Sequence, residues 1–484
     1  MRRTILIALA LSSCVLLAGC GGSTNPMPMG NANTIPMSLT IGDTPPTGVA
    51  VLFFEATITG ASLQPLSGKP LVTVMTTPVE VEFGHLQTDT AFLSLANVAP
   101  DTYSSLTLTF GNPVLTVVNH SGGMIGTSCA DNTVCQLMPS LTSSSVTLSG
   151  APFPITLDTD SVFGLKLDLN VNSSVQNDLS INPMVTVAHV THRHNSDEGM
   201  EMENLDEVEG QVTALGTNQF TLMNAKSPQS FTINVDQNTT FQDFDRAACT
   251  ANPEDFTCVK TGQILDVDLR EDGTGTMLAK RVEFEENASQ QAIKGTITSV
   301  DSTTQFHMVV FREEPDVNGI SEGSLVDINI APNATFQVGR EEMGEFGGFD
   351  IFGFSFASGM DLLVGQDVQI RPGTVTSAGS VITVTTDLVR LWPSQVTGQV
   401  GTINSSNGTF TLTNLSPLFT GNTPPIPTIT VQTLPEMDLM DFLNGNSPAT
   451  GDTVSVKGLL FKTTGTPTLV TRSIRDHHDD HGGN

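Results

Sequence analysis

The chain has 484 residues, and its 50 Asp and Glu outnumber 20 Lys and Arg, giving a net charge of −30. Charge of that sign repels phosphate backbones and anionic lipid head groups, which excludes nucleic-acid binding by bulk electrostatics. With one Trp and one Tyr, the chain also lacks the basic aromatic surface on which single strands stack.

Met1-Arg2-Arg3 is a short basic segment, and Thr4 to Leu17 is almost wholly apolar. That run has the length of a signal-peptide core and is too short to span a bilayer. It ends in Leu17-Ala18-Gly19-Cys20, followed by Gly21 and Gly22. This ending resembles the lipobox of bacterial lipoproteins. The resemblance implies a signal peptide over 1–19, cleavage before Cys20, thioether diacylation of Cys20 and usually N-acylation. Two or three acyl chains anchor stably, whereas one binds marginally at about 0.8 kcal/mol per buried CH2. The competing reading is ordinary secretion after Ala18-Gly19, with Cys20 a bystander. Loss of Arg2 and Arg3 leaves 18 basic against 50 acidic residues, a charge of −32. No other apolar run is long enough to span a bilayer, so the lipid is the expected membrane attachment. The expected address is the cell envelope, at the outer membrane, on its periplasmic or surface face. Residues 20–36 are rich in Gly, Pro, Asn and Ser and form a flexible tether of roughly 20–25 Å.

Beyond Cys20, and with Cys14 inside the signal, four cysteines remain in two close pairs. Proximity favours disulfides Cys129–Cys135 and Cys249–Cys258, which suit an oxidising periplasm or cell surface. Loops this short gain about 2–3 kcal/mol each from closure. Zinc competes poorly, because neither pair has zinc-knuckle spacing.

Residues 37–190 alternate with a period of two. Val79, Val81 and Phe83 alternate with Glu80 and Glu82. Leu106, Leu108 and Phe110 alternate with threonines, and Leu165 to Val171 alternates with Lys166, Asp168 and Asn170. About nine half-buried strands and no convincing helix predict a β-sandwich. Asp43-Thr44-Pro45, Leu86-Gln87-Thr88 and Val98-Ala99-Pro100-Asp101-Thr102-Tyr103 resemble motifs of a bacterial envelope family, the domain of unknown function 4382. Asp101 stands where that family usually has Gly. The resemblance implies a prealbumin-like or carbohydrate-binding-like sandwich and no activity. Residues 191–206 read as an acidic linker.

Three diverged repeats follow, at 207–290, 291–393 and 394–476. Each opens apolar-x-Gly-x-apolar: Val208 to Val212, Ile293 to Ile297, Val396 to Val400. An aromatic strand comes next, beginning at Phe220, Phe306 or Phe410. The first two copies share a turn, Asn238-Thr-Thr240-Phe241 and Asn333-Ala-Thr335-Phe336. A fourth strand is led by Gly262, Gly365 or Gly451. Five short strands with an insert between the third and fourth predict small OB-like barrels, in which closure removes exposed edges. The Gly in each first strand predicts a bulge or tight bend. The repeats resemble the domain of unknown function 5666, fading in the third copy. The inserts differ. One is the Cys249–Cys258 loop, one is Phe/Gly-rich from Glu341 to Met360, and one reads as a short helix from Pro435 to Gly445. Such inserts either diversify a binding surface or plug the barrel ends, and plugging is favoured.

Two histidine clusters bring residue types that bind divalent metal: His189, His192 and His194, and then His477, His478 and His481 in the tail 477–484. Solvated histidines at a strand end and a polar tail are the simpler reading. Gly319-Ile320-Ser321-Glu322-Gly323 matches G-x-S-x-G, but a nucleophile elbow needs a following helix, and the surroundings predict strands. Asp266, Asp268 and Asp272 lack calcium-loop spacing and read as a wet strand face followed by a turn. Trp392 is expected to pack where the second and third barrels meet. The expectation is therefore a non-enzymatic envelope protein with a structural, adhesive or ligand-binding role. An envelope protein or a glycan is the expected ligand, although scarce Trp and Tyr favour a glycan little. A metal-binding lipoprotein is the alternative.

Overall fold

The computed structural model describes residues 34–476 apart from 45–49, 89, 126–128, 159–162, 192–203, 206–207, 225–229, 243, 245–248, 252, 272–276, 288–290, 315, 339–352, 380 and 434–447. The described chain is almost entirely β. No described helix is long and apolar enough to cross a membrane.

Eleven strands build the N-terminal sandwich, two more than the periodicity predicts. They are β1 (Ile35–Thr44), β2 (Ala50–Pro65), β3 (Val72–Met75), β4 (Val79–Glu82), β5 (Ala91–Val98), β6 (Thr102–Asn119), β7 (Thr133–Leu137), β8 (Ser145–Leu148), β9 (Ile155–Thr156), β10 (Phe163–Asn170) and β11 (Val185–Thr191). One sheet runs β11-β10-β1-β5. The other runs β3-β2-β6-β7, with β4 on β2 and β8 and β9 on β6. Met37, Leu39 and Ile41 from the first sheet meet Ile58, Leu106 and Leu108 from the second in one core. β10 stops one residue earlier than its alternation suggests. The Asn170 side chain accepts the Ser173 N–H at 2.7 Å and caps a helical turn, α1 (Val171–Ser174). At the start of β6 the Tyr103 hydroxyl donates to Ala99 O at 2.7 Å. Asp101 braces the same corner by accepting from Thr102 N, Ser67 Oγ and Lys69 Nζ.

Three closed barrels follow. The first comprises β13 (Gly210–Gly216), β14 (Gln219–Asn224), β15 (Ser230–Asn234), β16 (Thr240–Gln242), β17 (Gln263–Glu271) and β18 (Met277–Asn287), with a short β12 (Asn204–Leu205) paired on β17. The second is β19 (Ala292–Ser302), β20 (Gln305–Glu314), β21 (Leu325–Val338), β22 (Asp367–Ala378) and β23 (Val381–Trp392). The third is β24 (Ser394–Asn404), β25 (Thr409–Thr413), β26 (Ile429–Thr433), β27 (Thr453–Phe461) and β28 (Thr468–Asp476). Each ring closes in the order first, second, third, fifth, fourth strand, the small-barrel connectivity that the repeats predict. The shared Asn-x-Thr-Phe turn has a visible job. In the second barrel it absorbs a register shift between Ile330 and Thr335 of β21, and in the first it splits the same strand into β15 and β16.

Both recurrent glycines have steric reasons. A Cβ on Gly295 would lie 2.7 Å from Val309 O, and β19 shifts register there. Gly365, leading toward the fourth strand, has φ +83° and donates to Ile297 O at 2.9 Å. Gly262 and Gly451 repeat that bond onto Val212 and Val400. The next side chain locks the turn in every copy. Gln263 accepts from Lys260 N, Gln366 from Leu363 N and Asp452 from Ala449 N, each at 2.6 Å.

The inserts, where described, plug and bridge. Cys249, Cys258 and Phe244 are buried in the first barrel's core. Phe356 is buried against Phe336 in the second. Phe354 stacks on Phe461 of the third, with ring centroids 5.2 Å apart. The third insert lies outside the described residues. Trp392 ends β23, with the Lys294 ammonium 3.9 Å from its ring centroid.

Gly365→Ala is expected to cost about 2 kcal/mol, because it adds both an unfavourable backbone conformation and a Cβ 2.2 Å from Phe419. Gly150→Ala, with open space around it, is expected to be close to neutral. Urea denaturation of both variants measures the difference, and equal midpoints would contradict this account of the turn.

Candidate functional site

The sandwich, the second barrel and the third barrel meet around one small apolar core. Phe53 of β2, Val118 of β6, Val309 of β20, Val364, and Leu418 from a helical turn at Pro417–Thr420 pack together there. The Gly319–Gly323 turn docks beside them, where Thr116 Oγ1 donates to Gly323 O at 2.7 Å. Next to this core lies a cavity of about 580 Å3, within the usual size range of small-molecule sites.

Charged groups flank it. β4 ends at Glu82, whose carboxylate is filled by four donors. Oε1 accepts from Phe54 N (3.0 Å) and Gly84 N (2.9 Å), and Oε2 accepts from His85 N (3.1 Å) and His85 Nδ1 (2.7 Å). That pairing fixes the His85 ring, which lies 4.0 Å from the Phe311 ring, centroid to centroid. The free edge of the imidazole faces the second barrel. Nε2 is 3.4 Å from Thr296 Oγ1 and 3.8 Å from Asp367 Oδ2. Thr296 Oγ1 donates to Asp367 Oδ1 at 2.6 Å, and Asp367 N donates to Ser394 Oγ at 2.8 Å.

The third barrel closes the wall through alternate residues of β24. Gln395 Oε1 accepts from Gln87 N at 3.0 Å, while its Nε2 donates to His85 O at 2.5 Å. Thr397 Oγ1 donates to Gln87 Oε1 at 2.5 Å. The backbone turn 84–87 is thereby held by side chains roughly 310 positions away in the chain.

Burial alone would lower the His85 pKa, but the charges of Glu82 and Asp367 outweigh it and raise the value above 6.5, with Lys457 opposing. Burial pushes Asp367 up to about 6, against the pull of His85 and Thr296. Asp367 and His85 carry opposite charges 3.8 Å apart, and Glu82, the second carboxylate of the site, has all four of its donors in place.

The candidates from sequence lie elsewhere. Cys129 is bonded to Cys135 and Cys249 to Cys258. His189 sits on β11 against Phe163, with centroids 4.6 Å apart, and burial lowers its pKa. Cys20, His192, His194, His477, His478 and His481 lie outside the described residues. Among the described residues, no group of three or more His, Cys, Asp or Glu is arranged to hold a metal. Ser321 is in the connection between β20 and β21, with its hydroxyl 2.8 Å from Ser324 Oγ and a strand, not a helix, following. Asp268 pairs with Arg281 at 2.9 Å on the wet face of β17, whose dry face buries Leu265, Val267 and Leu269. Asp272 lies outside the described residues. Glu82, His85 and Asp367 were not singled out in sequence, although Leu86-Gln87-Thr88 and Gly365 stand beside them.

Residues 209–283, the first barrel, match the family described as "Domain of unknown function (DUF5666)". A search of curated proteins finds no match. Among solved structures, the chain is similar to a deletion mutant of the single-stranded DNA-binding protein from Thermus aquaticus. Identity is 13%, 40% of this chain and 97% of that one are covered, and the TM-score is 0.15. It is also similar to drosophila Unr CSD456, at 11% identity, 56% and 96% coverage and a TM-score of 0.12. Both scores lie far below that of a shared overall fold.

Folded Asp367 and His85 both hold protons more tightly than they do unfolded. The Asp367 contribution is complete below 3.8 and is lost as pH rises through about 6. The His85 contribution is complete below 6.5 and is lost only at higher pH. Between pH 4 and 7 the wild type is therefore expected to lose up to about 3 kcal/mol relative to Asp367→Asn, which cannot titrate. Melting curves of both proteins across that range test this, and a pH-independent difference would contradict it.

Proposed function

We propose that this is a non-enzymatic, lipid-anchored cell-envelope protein that binds a small ligand between its sandwich and its last two barrels. The observation that carries the binding role is the junction cavity. Three separately folded units supply its wall, so an occupant contacts all three and favours their closed arrangement. The anchoring role rests on the apolar run ending in Leu17-Ala18-Gly19-Cys20. Two short disulfide loops agree with an oxidising compartment. The sandwich motifs, including the Tyr103 corner, agree with a resemblance to the domain of unknown function 4382, a bacterial envelope family.

The anchor is tested by metabolic labelling with a fatty-acid analogue and membrane fractionation. Wild type is expected to be labelled and recovered with membranes, and Cys20→Ala to be unlabelled and soluble. Membrane recovery of Cys20→Ala at wild-type levels would refute the anchor. The binding role is tested by thermal melting against a panel of small neutral, anionic and cationic metabolites. A ligand at one hundred times its Kd stabilises by about 2.7 kcal/mol, so at least one compound should raise the melting temperature by several degrees. A flat response across the whole panel would contradict a binding role.

A further inference from the structure

We infer that the end of the sandwich carrying Leu66 and Leu71 is a bilayer-contact surface, on which both leucines enter the membrane interface and the barrel junction points away from it. The surface presupposes the lipid anchor proposed above and adds the orientation that the anchor imposes.

Strand register brings the start of β1 and these leucines to one end. Ile35, which opens β1, pairs with Val98, which closes β5. Three residues on, Asp101 accepts from Ser67 Oγ and Lys69 Nζ, each at 2.9 Å. Leu66 N donates to Thr102 O at 2.7 Å, and Pro65 pairs with Tyr103. The loop between β2 and β3 is therefore braced within a few residues of the partner of Ile35. Residues 21–34, fourteen in all, separate Cys20 from Ile35, and a Gly/Pro/Asn/Ser-rich coil of that length averages roughly 20 Å. An acylated Cys20 would keep this end of the sandwich close to the bilayer.

The units meet at the other end. Phe53, which packs on the second and third barrels, lies 12 residues before Pro65 on β2. Thr116, which bonds Gly323 of the second barrel, lies 13 residues after Tyr103 on β6. That separation is about 40 Å of strand. Phe92, whose ring lies 5.1 Å from that of Phe231 in the first barrel, is six residues before Val98 on β5.

The loop is apolar where it faces water. Leu66 is 62% exposed and Leu71 57%, and Ser67, Gly68, Lys69 and Pro70 between them are exposed as well. Hydrogen bonds to Asp101 and Thr102 hold the loop out instead of folding its leucines onto the core, and a lipid interface removes the cost of that exposure. Its one charge, Lys69, is paired with Asp101 at 2.9 Å. Contact consequently needs no anionic lipid, in keeping with a chain whose acidity repels anionic head groups.

The test couples Cys20 of the chain from residue 20 onward to a maleimide phospholipid in phosphatidylethanolamine–phosphatidylcholine vesicles. Cys129, Cys135, Cys249 and Cys258 are in disulfides and do not react. The anchor is then present whether or not cells install it, so failure here is distinct from failure of the fatty-acid labelling. Trp392 is the chain's one tryptophan and sets the background emission. Brominated phosphatidylcholine is expected to quench Leu66→Trp at least threefold more than Ile403→Trp, a site in the third barrel that is 42% exposed. Adding Leu71→Asp to Leu66→Trp is expected to cut the quenching at least threefold with the melting temperature unchanged. Equal quenching at the two sites, or none at Leu66→Trp, would overturn the bilayer contact and leave the anchor standing. Quenching that ignores Leu71→Asp would overturn it too, by tracing the contact to the introduced tryptophan. A Leu66→Trp emission that shifts with protein concentration in the absence of vesicles would assign the leucines to a second copy and overturn the membrane as their partner.

Discussion

A carboxylate carried out of water must be met by donors, and at Glu82 every donor is local: three backbone N–H groups and one imidazole. The consequence is not local. The same carboxylate fixes the His85 ring with its other nitrogen toward the second barrel, where Asp367 is nearly fully buried. Asp367 buried without a cation nearby would remain protonated or oppose docking, and His85 without Glu82 would tend to lose its charge. The sandwich and the second barrel thus complete one another electrostatically. The apolar contacts of Phe53, Val309 and Leu418 add area to an orientation that the charges select.

The three barrels show how one repeat yields unequal parts. Their shared residues solve shared backbone problems. A glycine lets the first strand press against the second, a second glycine turns the chain back, and the residue after it ties that turn down. Positions with no backbone duty are free to diverge. Gln263, Gln366 and Asp452 all hold the turn, but the next residue is Ile264 in the first barrel, Asp367 in the second and Thr453 in the third. Only the second places a carboxylate there, and that copy faces His85. The inserts diverge in the same way. Cysteines and phenylalanines fill the first barrel's end, while Phe354 and Phe356 fill the second and reach Phe461 of the third.

The architecture was legible because it is written in short-range patterns. Alternation at Val79–Phe83 and Leu165–Leu169, glycines at fixed repeat positions and cysteines a few residues apart each report on their own neighbourhood. Asn170 shows the limit of alternation, since its capping bond ends a strand whose pattern runs on to Val171. The site was not legible, because its members are remote in sequence and ordinary in type. Glu82 reads as a wet strand residue, yet its carboxylate is turned onto Phe54 N, Gly84 N and His85. His85 is a single histidine, whereas the conspicuous clusters drew attention to His189, which packs on Phe163. Leu86-Gln87-Thr88 carries a family resemblance, but the bonds of Gln87 to Gln395 and Thr397 exist only where two units pack.

The sandwich and the third barrel close on each other, and the Gln87 amide reports on that closure directly. Its N–H is held by the Gln395 side chain, 308 positions away. Residue-resolved hydrogen exchange should find that amide protected in the wild type and strongly accelerated in Gln395→Ala, with amides in the middle of β2 unchanged. Exchange of the Gln87 amide in the wild type at the rate of an open loop would contradict the closed arrangement.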